Sequence, residues 1–124
     1  MNKDYQLGLL YLAHLLISAD GIIDEKEEAA LMRIKTKETI SDAVFREFSN
    51  NVNSLKEKEI YQQGIESLNK CTDAEKLNAF VHLYKMSEVD GTVHVKEVRL
   101  LLYSVKLASI EFNDVVEKAK VVHY

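Results

Sequence analysis

No proline occurs anywhere in the 124 residues, and glycine occurs only four times. Average usage near 5% would place roughly six prolines in a chain this long. Sheets need many tight turns, and tight turns lean on proline and glycine, so the composition argues against a sandwich or barrel. A chain this poor in breakers is expected to be all-helical. Its length suits one domain, and burying about two thirds of its unfolded surface supplies a core without staples. The composition is 47% hydrophobic and 29% charged, which is globular and excludes a disordered chain.

Sixteen basic residues face twenty acidic ones, for a net charge of −4. A duplex-binding domain draws its affinity from neutralised phosphates and shows a basic excess or stripe. This chain has neither, so nucleic acid is not an expected partner. Cys71 is the one cysteine and cannot form an internal disulfide, which fits a reducing compartment. The apolar stretch from Leu7 to Ile17 is interrupted by Gly8 and His14. It is also much shorter than the roughly 20 residues that span a bilayer. These features give the expectation of a soluble, cytoplasmic protein without membrane insertion.

Start and stop signals divide the chain into about seven helices. The first is expected from about Asp4 to Ala19, apolar on nearly every side and therefore central. Gly21 stops it, and Asp24 with Glu27 resembles a capping box that starts a second helix reaching about Lys37. Ser41-Asp42 opens a short third helix carrying Val44, Phe45 and Phe48. Asn50-Asn51-Val52-Asn53-Ser54 reads as the most loop-like segment, with Ser54 capping a polar, peripheral fourth helix. Thr72 to Glu75 is another start signal, for a long helix through Leu77, Phe80 and Met86. Two more helices are expected over about 95–107 and 111–121.

The chain also repeats itself at an offset of 70. Asp20-Gly21-Ile22-Ile23-Asp24-Glu25-Lys26-Glu27 lies over Asp90-Gly91-Thr92-Val93-His94-Val95-Lys96-Glu97, and Leu16, Leu31 and Ile40 meet Met86, Leu101 and Ile110. The expected organisation is a duplicated three-helix unit in one domain, with copies over about 4–50 and 73–121 and a bridging helix over about 55–70. The two Asp-Gly turns are expected to superpose.

This pattern, an apolar helix, an acidic turn and a Glu-bearing second helix used twice, resembles the tellurite-resistance TerB family. The resemblance runs from about Asp4 to Val121 and is most specific at 18–27 and 87–93. It implies an all-helical duplicated fold, a bacterial stress-response setting and a non-enzymatic module whose clustered acids bind cations beside membrane-associated protein partners. His94-Val95 stands where the first copy has Asp24-Glu25, a departure that sets the second turn apart.

The acidic turns admit two readings. Asp20 and Asp90, each followed by glycine and closed by Glu27 or Glu97, match the back half of an EF-hand loop. The leading carboxylate is missing both times, because Leu16 and Met86 occupy its place. A looser oxygen site for a divalent cation such as calcium is the ligand reading, with Asp20, Asp24, Glu27, Asp90 and Glu97 as candidates. The other reading makes the same carboxylates helix caps alone, satisfying orphan N–H groups and the helix dipole, in a domain that recruits a protein partner by an exposed helix face. His14 and His82 read as buried core histidines more readily than as ligands, and His94 as solvent-facing. No nucleophile elbow, phosphate loop, zincin or paired-cysteine motif is present, so no enzymatic activity is expected.

Overall fold

The structure, a computed structural model, describes residues 3–17, 25–87, 104 and 106–121. Its elements are α1 (Lys3–Ile17), α2 (Glu25–Lys37), α3 (Asp42–Ser54), α4 (Glu57–Asn69), α5 (Asp73–Ser87) and α6 (Phe112–Ala119). Ser104, Lys106 and Leu107 are helical as well, and no strand occurs among the described residues. The chain is all-helical. Of the helix expected over 95–107, only this end lies within the described residues.

Local signals explain where several helices begin. The Ser41 hydroxyl accepts the Val44 N–H at 3.2 Å and opens α3. At α5, the Thr72 hydroxyl accepts the Glu75 N–H at 3.2 Å while the Glu75 carboxylate accepts the Thr72 N–H at 3.0 Å. That reciprocal pair is the capping box expected from the spacing.

The end of α2 closes without glycine, unlike the stop expected for the first helix at Gly21. Thr39 takes a left-handed conformation, φ 53°, and Ile40 N–H reaches back to the Lys35 carbonyl at 2.9 Å. Thr39 N–H bonds the Thr36 carbonyl at 3.2 Å, which completes a Schellman closure without glycine. Ser109 repeats the conformation at φ 60°, with its N–H on the Lys106 carbonyl at 3.1 Å. Thr39 and Ser109 lie 70 positions apart, as do the bounds of α1 and α5 and the first residues of α3 and α6. The expected superposition of the Asp-Gly turns falls on residues outside those described.

Two expectations are corrected. Asn50 to Ser54 is helical, the last turns of α3, and Lys56 rather than Ser54 precedes α4. Asn51 is held in the helix because its side-chain amide donates to the Tyr11 hydroxyl on α1 at 2.8 Å. A tertiary bond thus overrides weak helix propensity. The fourth helix is not peripheral either: it packs along α1 and buries Ile60, Gly64, Ile65 and Leu68.

Glycine makes that packing close. A Cβ at Gly8 would stand 2.8 Å from Leu68 Cγ and 3.0 Å from the Gly64 carbonyl oxygen. A Cβ at Gly64 would stand 3.1 Å from the Leu12 side chain. Gly8 is therefore the point of close approach between α1 and α4. The core gathers around α1, where Tyr5, Leu9, Leu10, Leu12, Ala13 and Leu16 are buried against α2, α3, α4 and α5. From α5, Ala79, Phe80, Val81 and Leu83 complete it.

Candidate functional site

Of the five acidic candidates, Asp20, Asp24, Asp90 and Glu97 lie outside the described residues, as does the side chain of Glu27. The backbone of Glu27 belongs to the first turn of α2, which starts at Glu25 directly after Asp24 in the sequence. Among the described residues, no group of three or more His, Cys, Asp or Glu side chains converges as a metal site would. His94 also falls outside them.

The structure brings together a different set of polar groups in the core. His82 is 4% exposed on α5, and its ring Nε2 lies on the Glu38 carboxylate just beyond α2. An ionised carboxylate only accepts, so Nε2 is the donor of this bond. Asn78, one turn before His82, donates to the same Glu38 oxygen at 2.9 Å and to the Tyr5 hydroxyl at 2.7 Å. Tyr5 in turn hydrogen-bonds Glu38. Burial alone would push the Glu38 carboxyl up, but the bond and charge of His82, with Asn78 and Tyr5 behind it, hold it below the usual range.

This cluster joins α1, the end of α2 and α5. It has no opening for chemistry: Tyr5 is fully buried, and Glu38 and His82 side chains are 9% and 5% exposed. Its physical role is to fix helix register, because a buried carboxylate tolerates only the arrangement that satisfies it. The sequence signal was the polar pair Asn78 and His82, spaced i, i+4 on an apolar helix. Glu38 gave no comparable signal, since it follows Lys37 at a helix end and resembles a solvated charge.

His14 is half-buried, with its ring edge-on to Phe48 at 6.0 Å between centroids, and burial lowers its pKa. Cys71 is half-buried and its thiol points to the Ser67 carbonyl at 3.5 Å. Neither belongs to a cluster of candidate ligands among the described residues.

One accessible feature among the described residues is the outward side of α2. Leu31 and Ile34 turn into the core, while Ala29, Met32, Arg33 and Thr36 face out. With Lys37 they line an open depression of about 550 Å³. Met32 is 49% exposed, a large apolar side chain left at the surface. The Thr36 hydroxyl donates to the Met32 carbonyl at 3.1 Å, so its hydrogen-bonding capacity is directed to its own helix. The floor is apolar, and Arg33 and Lys37 supply cationic edges.

A scan against protein-family models and a search of the curated proteins both give no match. Among solved structures, the chain is similar to the protein of unknown function PG1108 from Porphyromonas gingivalis W83, at 15% identity. The TM-score is 0.71, with 98% of each chain covered. At that identity the likeness concerns the fold alone, and it extends over nearly the whole chain.

Proposed function

We propose that the protein is a non-enzymatic helical interaction module whose working surface is the outward face of α2. The observation that carries this reading is the exposed stripe of Ala29, Met32 and Thr36 beside Arg33, on a helix whose opposite face is locked into the core. Surface methionine beside cationic residues suits a protein partner, because an unbranched thioether adapts to the surface it meets. The buried polar groups of the core, Glu38 and His82, are bonded to each other and to Asn78, so they serve packing rather than a surface site. Met32→Asp tests the reading. At unchanged helicity it should abolish the association shown by the wild type in its own cells, while Glu66→Lys on the exposed side of α4 should not. Equal association of the two variants would contradict it.

The resemblance to the TerB family adds a second reading: a bacterial, cytoplasmic tellurite or stress-response module with a weak divalent-cation patch at Asp20, Asp24 and Glu27 and a poorer one at Asp90 and Glu97. Support for it comes from the start of α2 at Glu25, directly after Asp24 in the sequence and with the backbone of Glu27 in its first turn, where an acidic residue suits the helix dipole. No helix among the described residues is long and apolar enough to cross a membrane. Thermal unfolding with calcium, before and after chelation, tests it. A cation-specific rise in Tm lost in Asp20→Asn supports the patch, and its absence leaves the carboxylates as caps.

A further inference from the structure

We infer that the occupant of the α2 face is a second copy of the chain, packed as an antiparallel α2–α2 pair about a twofold axis. The inference rests on the reading of that face as the working surface and names its partner. Glu25, Ala29, Met32 and Thr36 are all exposed and follow one another at spacings of four, three and four. That is the spacing of a helix–helix seam. Along the seam the character changes: Glu25 is acidic at the N-terminal end, Ala29 is small, Met32 is large, and Arg33 brings positive charge toward the C-terminal end.

Such a stripe is complementary to itself when reversed. An antiparallel partner sets Met32 of each copy over Ala29 of the other, so that bulk meets space at both places. The same register brings Glu25 within a turn of the other copy's Arg33, and the twofold axis makes each such pairing occur twice. A parallel arrangement would instead oppose Met32 to Met32 and Glu25 to Glu25. One helix face buries an area in the weak, transient class, below about 1,200 Å² in total. Association is therefore expected between roughly 10 µM and 1 mM rather than as a permanent dimer.

Sedimentation equilibrium of the full chain across that range is the test. The wild type should pass reversibly from monomer to dimer, and Met32→Asp should remain monomeric. Glu25→Arg and Arg33→Glu should each weaken the dimer about tenfold or more, and the double reversal Glu25→Arg/Arg33→Glu should recover most of the affinity. All three substituted positions are exposed, so helicity by circular dichroism should be unchanged throughout. A wild type that stays monomeric, a dimer indifferent to Met32→Asp, or a double reversal no better than the singles would each overturn the inference. A photo-crosslinker at Met32 separates its failure from that of the underlying reading. An adduct with a different protein, beside a monomeric wild type, overturns the second-copy assignment alone; no adduct from Met32 removes both.

Discussion

His82 on α5 is hydrogen-bonded through Nε2 to Glu38 at the end of α2 in the core, and the positions 70 residues from them, Leu12 and Ala108, are buried and apolar. The same place in the repeat is therefore polar on one side and apolar on the other. Removing one partner strands the other, which costs about 3–5 kcal/mol for a buried charge. His82→Leu should accordingly be strongly destabilising in urea. The double variant Glu38→Ala/His82→Leu copies the apolar pair and should recover much of that loss. A double variant no more stable than His82→Leu would show that the carboxylate is not the source of the penalty.

Acid should act in two steps. Burial lowers the His14 pKa, so the unfolded chain takes up a proton that the folded chain resists, and stability begins to fall below the ordinary value of 6.5. Glu38 titrates below its ordinary 4.5, so its contribution is complete above that pH and is lost as pH falls through the lower folded value. In Tm measured against pH, His14→Gln should remove the first decline and Glu38→Gln should flatten the second. Tm that rises on acidification over either window would contradict the assignment.

Gly8→Ala should destabilise. The added carbon meets Leu68 Cγ, a branch point rather than a flexible tip, and the Gly64 carbonyl. Overpacking costs about 1–3 kcal/mol, against roughly 1 kcal/mol regained in helix propensity. Chemical denaturation should show a net loss of about 1 kcal/mol, and a stabilised Gly8→Ala would mean that α1 and α4 have room to spare.

Thr39→Gly should do the opposite. A β-branched residue at φ 53° is strained, and Thr39 is exposed, so no packing is lost. Relief of the left-handed conformation is worth about 1 kcal/mol, visible as a higher denaturation midpoint. An unchanged or lowered midpoint would show that the threonine side chain contributes more than its backbone costs.

What was legible in the sequence was local. The Thr72–Glu75 box and the Ser41 cap depend on side chains three residues from their N–H partners, and spacing alone reveals them. The central place of α1 followed from its apolar circumference. Asn51 reads as a loop residue because the Tyr11 hydroxyl that holds it lies 40 residues away, and the packing role of Gly8 is hidden because its reason is Gly64 on another helix. Glu38 could not be told from a surface charge, since its three partners come from α1 and α5. The acidic turns, the clearest motif in the sequence, lie outside the described residues but for the backbone of the start of α2.

Site-specific photo-crosslinking tests the central claim most directly. A photoreactive residue is placed at Met32 in one strain and at Glu66, exposed on α4, in another, and adducts are formed in living cells. If the outward face of α2 is the working surface, Met32 gives a discrete protein adduct that Met32's neighbour substitution Arg33→Glu diminishes, and Glu66 gives none. Equal adducts from both positions, or none from Met32 at matched protein levels, would contradict the account.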